Sequence, residues 1–212
     1  MRLAALMVLA SFPAFAEDTH LEPQPPAFPS VGVDPAPRRG TFAETALGAF
    51  ATLGGSGGVS AVQPYLSLTA GHNVGERSTL FLSLGIGASS QSCFDRGASG
   101  CAAADSFGAT FLEAGASTGT QIAPRTLLSA KVLGGVGIFS PGPFAHLDGS
   151  VPDRVIAPHL GAGVGLDYDT HLDHFSVGLD ALARYSVASK PDGQGREGIA
   201  SIAFLPRIRY VF

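Results

Sequence analysis

The segment FAHLDGS sets His146, Asp148 and Ser150 at alternate positions, and these are the residue types from which an acyl-transfer or ester-hydrolysing site is made. A hydroxyl nucleophile needs a base within hydrogen-bond reach and a third group to orient that base. Nearness in sequence on a loop does not supply that geometry, and a solvated loop histidine is the simpler reading. A second pair, Cys93 and Cys101 in SCFDRGASGC, admits a metal site or a disulfide. Two cysteines with no matching histidine pair make a poor zinc site, whereas in an oxidising compartment they would pair across the short loop between them. The chain-entropy estimate for so short a loop is about 2–3 kcal/mol. The run GAGVG at 161–165 has the composition of a nucleotide-binding turn but lacks the strand-to-helix setting that gives such glycines meaning. No cofactor or metal site is expected.

The remaining chemistry-bearing residues are Glu44, Glu113, Lys131, His159, Asp167, Asp180, Arg184, Arg207 and Arg209, joined by Gln63, Tyr65 and His174. As acid–base pairs they would be catalytic candidates, so the elements that carry them decide their role. From Thr41 onward apolar residues recur with a period of two, the signature of strands. In STLFLSLGIGASS, residues Leu80, Leu82, Leu84 and Ile86 share a face; in VIAPHLGAGVGLDY, Ile156, Leu160, Val164 and Leu166 do; in HFSVGLDALARYSV, Phe175, Val177, Leu179 and Tyr185 do. Weaker versions cover Phe42 to Leu53, Ala61 to Gly71, Gly108 to Thr118, Leu127 to Phe139 and Gly198 to Phe212, making eight segments in all. Tight turns are expected at 73–77, 121–125 and 170–173, and longer links at 91–106, 140–153 and 188–195, with a glycine-rich link at 54–60. Short turns at one end and long loops at the other are the pattern of a membrane barrel.

Every charged residue named above falls on the face opposite the aliphatic one. Buried singly in a dry soluble core such charges would cost several kcal/mol each, but in a narrow lumen they can pair. The arrangement therefore predicts an all-β, eight-stranded, antiparallel up-and-down transmembrane barrel over 41–212, polar inside and apolar outside. Across the turn at 121–125, Glu113 and Lys131 are expected to face one another; at closure, Glu44 should meet Arg207 or Arg209. Inward glycines at 85, 87, 135, 137, 161, 163 and 165 leave room for Tyr65, Phe81 and the arginines. Eight strands enclose a lumen that side chains fill, which leaves little space for a substrate. Tyr168, Phe175, Tyr210 and Phe212 fall at one end of the outward faces, as half of an interfacial girdle.

The totals agree with this class. Of the 212 residues, 14% are charged, well below a soluble domain, and 28 are glycine. A net charge of −4 gives no basic face for nucleic acid. Residues 1–16, MRLAALMVLASFPAFA, have the basic start, apolar run and Ala-Phe-Ala end of a secretory signal peptide. Residues 17–40 are proline-rich and predict a disordered periplasmic arm.

The chain closes on PRIRYVF, in which Ile208, Tyr210 and Phe212 alternate with Arg207, Arg209 and Val211. This resembles the terminal strand of bacterial outer-membrane proteins, which the barrel assembly machinery reads, and the whole pattern resembles the small barrels of the OmpA and OmpX type. No periplasmic domain is expected after the barrel. A narrower resemblance, carried by ETALGAF, QPYLSL and the SCFD…C…DSF loop, is to the exported proteins of contact-stimulated adventurous gliding motility. These resemblances imply an integral outer-membrane protein with its arm and C-terminus in the periplasm and its long loops outside the cell. Its partners would be membrane lipid and lipopolysaccharide, the assembly machinery, and other envelope motility or adhesion proteins. The function they imply is non-enzymatic, a structural or interaction component of an envelope complex. The alternatives are a lipid A-modifying enzyme, using His146, Asp148 and Ser150, or a narrow channel.

Overall fold

In the computed structural model the two-residue period becomes eight strands: β1 (Gly40–Gly54), β2 (Gln63–Asn73), β3 (Ser78–Ser90), β4 (Ser106–Ala123), β5 (Thr126–Ser140), β6 (Val155–Asp169), β7 (Phe175–Ser189) and β8 (Arg196–Val211). The structure describes residues 40–212 apart from 55–57, 76, 91–105, 145–151, 173 and 194. Residues 1–39, Cys93, Cys101, His146, Asp148 and Ser150 therefore lie outside the described residues. Each strand runs antiparallel to the next, and β8 pairs back onto β1, so the sheet closes. The shortest strand has 11 residues, enough to cross hydrocarbon at a barrel's tilt.

Closure is staggered. Stepping across paired residues once round the barrel, from Phe42 through Gly71, Phe81, Gly115, Leu133, Gly161, Arg184 and Ser201, arrives back on β1 at Thr52, ten residues beyond the start. With ordinary strand rise and spacing, that stagger over eight strands corresponds to a tilt of about 40°.

Two details differ from the sequence expectation. The fourth strand runs on to Ala123, so its turn shrinks to Pro124 and Arg125, with Arg125 at φ 62°. Thr118, Thr120 and Ile122 continue the strand pattern, and the proline supplies the torsion that starts a tight turn. In the glycine-rich link, Gly58 and Val59 pair with Gly54 and Leu53. Between that pairing and Phe50↔Gln63, residues 60–62 oppose Ala51 and Thr52, which makes a bulge. Ser60 secures it, its Oγ accepting from the Thr52 amide at 2.8 Å.

The distribution of side chains is inside-out. Within the strands, the outward positions between first and last residues hold no Asp, Glu, Lys or Arg, and carry exposed apolar groups such as Leu82, Val132, Leu160 and Phe204. Inward positions alternate large with small. On the path just traced, a Cβ on Gly71 would lie 2.4 Å from Phe42 Cζ, one on Gly115 2.4 Å from Phe81 Cζ, and one on Gly161 2.7 Å from Leu133 Cδ1. Each bulky side chain lies over a glycine of the next strand, which is how eight tilted strands pack a solid interior.

That packing predicts the effect of a substitution. Gly115→Val would drive methyl groups into Phe81 and should cost about 1–3 kcal/mol, read as a lower urea midpoint for the refolded protein in detergent. Ala114→Val, one residue away and facing outward, should leave the midpoint nearly unchanged.

Candidate functional site

The lumen collects all nine charged or ionisable residues singled out above: Glu44, Glu113, Lys131, His159, Asp167, Asp180, Arg184, Arg207 and Arg209 are each less than 9% exposed. Their parity within β1, β4, β5, β6, β7 and β8 turns them inward; the glycines around them decide who meets whom.

Toward the short-turn end lies a cluster of three acids and three bases. Arg207, on the closing strand, holds acids from three other strands: its Nη1 lies 2.8 Å from Glu44 Oε2, its Nη2 2.7 Å from Asp167 Oδ1 and its Nε 3.1 Å from Asp180 Oδ1. Arg209 Nε donates to the same Glu44 oxygen at 2.9 Å, and its guanidinium lies over the Phe42 ring, 4.3 Å from the centroid. Lys131 Nζ donates to Asp180 Oδ2 at 2.5 Å. Lys131 and Asp180 reach one another across the strand between them because Gly165 stands there, where a Cβ would lie 2.5 Å from Asp180 Oδ1. Gly178 makes the same allowance for Arg207, at 2.9 Å from Cζ.

A second cluster sits higher. Arg184 donates to Glu113 through Nε at 2.5 Å and Nη2 at 3.1 Å, a bidentate pair, and His159 Nε2 lies 2.9 Å from Glu113 Oε1. The guanidinium stacks near Phe111 and Tyr65, 5.1 and 5.3 Å from their centroids. Above it the lumen is aromatic: Phe50 stacks on Tyr65, and Phe111, Phe139 and Phe107 follow in edge-to-face contacts. Phe144 closes this end with Ala188 and Ile199, Lys190 Nζ lying 5.6 Å from its centroid while paired with Glu197.

Two expectations need correction. Glu113 does not face Lys131; it is paired in register with Gly135, and Lys131 with Ser117. The turn at Pro124–Arg125 sets a different register from one at 121–125, and glycines let each side chain reach past its neighbour. His174 is not a lumen residue: it has φ 72° in the turn before β7 and is exposed, its Nδ1 2.8 Å from the Val211 carbonyl oxygen. The closing pair is present, Glu44 touching both arginines. At the outward short-turn end, Phe175–Tyr210 and Tyr210–Phe212 make edge-to-face contacts with centroids 4.9 Å apart.

Three features went unread in the sequence. They are the aromatic plug of Phe50, Phe107, Phe111, Phe139 and Phe144, the Thr52–Ser89 hydroxyl pair, and the Ser67–Ser83 contact at 3.0 Å. For Phe50, Phe107, Phe111, Phe139 and Thr52, parity with a charged inward residue of the same strand was the available signal. Chemically the lumen is a filled interior. Among the described residues all four buried carboxylates are bound by cationic groups, and the cavity among the charges measures about 20 Å3, room for one water. Among the described residues no group of three His, Cys, Asp or Glu could hold a metal ion.

Removing one partner of a buried pair strands the other charge. Arg184→Leu should therefore destabilise the barrel by about 3–5 kcal/mol, and adding Glu113→Leu should restore more than half of the loss, measured by urea unfolding in detergent micelles.

No protein-family model and no curated protein matches the sequence. Solved structures do. Neisserial surface protein A is 15% identical with a TM-score of 0.52, the match covering 81% of this chain and 97% of that one. Ail, the attachment invasion locus protein of Yersinia pestis, in complex with the heparin analogue sucrose octasulfate, is 16% identical with a TM-score of 0.50, over 82% of this chain and 99% of that one. The narrower resemblance to gliding-motility proteins has no counterpart in these matches. At such identities the likeness is one of fold, and the fold is the closed eight-stranded antiparallel barrel of small outer-membrane proteins.

Proposed function

We propose that this chain is a non-enzymatic outer-membrane barrel whose work is done at its long-link end, as an attachment or interaction component of the cell envelope. The observation that carries the reading is the filled lumen: buried ion pairs and stacked aromatics occupy the interior where a pore or an enclosed substrate site would otherwise lie. What remains for function is the ends. At one end the links are 74–77, 124–125 and 170–174; at the other, 91–105, 141–154 and 190–195 are longer, beside the bulged link at 55–62. Long loops on a rigid scaffold are where binding residues concentrate.

The fold neighbours support this reading, since one is named as a surface protein and the other as an attachment and invasion protein. In the orientation we infer, residues 17–39 and Phe212 lie in the periplasm and the long links outside the cell. Cys93 and Cys101 would brace the longest of these loops. The outward row of Ile208, Tyr210 and Phe212 would be the segment read by the assembly machinery. Gliding motility is one setting in which such a component would serve; the reading does not depend on it.

The test replaces 91–105 and 145–151, separately, with short Gly-Ser turns in cells that express the protein. Heat-modifiable migration in gels should persist, because the barrel does not need the loops. Attachment of the cells to a surface, and recovery of crosslinked envelope partners, should fall to the level of cells without the protein. Unchanged attachment and unchanged partner recovery for both variants would contradict the proposal.

A further inference from the structure

The rings that fill the upper lumen differ in how they are held. Phe50, Tyr65, Phe107, Phe111 and Phe139 stand on β1, β2, β4 and β5, so the barrel wall fixes them. Phe144 has no such support: it lies four residues past the end of β5, in the link that leads to β6, yet it is 6% exposed and belongs to the same buried cluster. The space it takes is framed by inward residues at the long-link ends of β4 to β8, namely Phe107, Phe139, Ala157, Ala188 and Ile199, all buried. With alanine at two of these five positions the strands leave room at the mouth, and the Phe144 ring fills it.

The frame does not depend on that ring. Phe107 and Phe139 support one another edge to face, with centroids 5.8 Å apart. At the rim, Lys190 Nζ lies 5.6 Å from the Phe144 centroid, and an ion pair with Glu197 on β8 holds it there. The turn that carries Lys190 is closed by its own amide, which donates to the Gly195 carbonyl oxygen at 2.8 Å. The root of the Phe144 link is closed as well: the Gly142 amide donates to the Pro152 carbonyl oxygen at 2.7 Å, and Ser140 Oγ to the Asp153 carbonyl oxygen at 2.8 Å. Phe144 lies two residues beyond this clamp, so torsion changes at Phe144 withdraw the ring while both bonds stay. What remains is an apolar cup with a fixed cation at its lip, and a cation there favours an aromatic occupant over an aliphatic one.

We propose that the long-link mouth of the lumen is a binding cup for one aromatic ring carried by a partner protein, and that Phe144 is its resident stopper, displaced when the partner's ring enters. The partner's chemistry is then an exposed Phe, Tyr or Trp side chain. This deepens the attachment reading and rests on it for the existence of a partner. The rings below the cup stay in place, so no water path opens through the barrel.

Ligand-observed fluorine NMR tests the cup, with the full-length folded protein in detergent micelles and N-acetyl-4-fluorophenylalanine methylamide as probe. Phe144→Ala, whose cup is empty, should bind the probe saturably at one site. The wild type should bind it about tenfold more weakly, a difference on the order of 1.4 kcal/mol, because its own ring has to leave first. The cyclohexylalanine analogue, of similar shape but without a π face, should compete less well, and Lys190→Met should erase that preference. As a second readout, Phe144→Trp supplies the sole tryptophan of the chain. Its emission should move to the red as the phenylalanine analogue enters, whereas Phe175→Trp, at the short-turn end, should not respond. The proposal is overturned by absence of saturable binding to Phe144→Ala, by no binding to the wild type where Phe144→Ala is saturated many times over, or by equal competition from the cyclohexyl analogue. Replacement of 145–151 should leave probe binding intact, since Phe144 and its frame remain. Loss of probe binding therefore counts against the cup alone, and unchanged attachment of the loop variants counts against the attachment reading alone.

Discussion

Closure of β8 on β1 is the constraint on which everything else in this protein depends, and Arg207 is where it is concentrated. Backbone amides and carbonyls in hydrocarbon must find partners within the protein, so a sheet there cannot have free edges. The seam that removes those edges is interrupted: its paired register omits Leu47 and Gly48, which stand opposite Pro206 and Leu205. Proline has no amide to donate, and the strands approach so closely that a Cβ on Gly48 would lie 2.0 Å from the Phe204 carbonyl oxygen. One residue from that gap, Arg207 joins the closing strand to acids on β1, β6 and β7. Side chains thus tie four strands together where the backbone ladder is weakest. Burying such charges stabilises little by itself, but a misaligned seam would part Glu44 from Arg207 and Arg209 and leave its carboxylate buried without a base, so the network favours one register over its neighbours.

The same inward face also fills the interior. Glycine on one strand lets the side chains of the two flanking strands meet, so the lumen fills from wall to wall with balanced charge and then with stacked rings. A solid interior gives rigid support to the loops at one end and to the short turns at the other. It also leaves the outer surface to adapt to lipid, smooth with aliphatic side chains over most of the wall and indented beside the seam.

Much of this was legible in the sequence because strand parity is a rigid code. Once Leu80, Leu82 and Leu84 are read as lipid-facing, the alternation places Glu44, Glu113, Asp180 and the three arginines inside, and joining first strand to last brings Glu44 to Arg207 and Arg209. Pairing was less legible. Which base Glu113 meets depends on the register of β4 to β7, on the position of one turn, and on the absence of side chains at Gly135 and Gly161. Parity carries none of this. His174 shows the complementary limit: alternation continued one residue too far takes a turn residue for a lumen residue.

The central claim is that the barrel is a closed scaffold with a filled lumen, and ion conductance tests it most directly. The purified wild-type protein, inserted into planar bilayers with the ends of the chain intact, should show no steps above the lipid background across the stable voltage range. Reproducible conductance steps from the folded wild type would contradict the account, because they would require a continuous water path through residues placed here in contact.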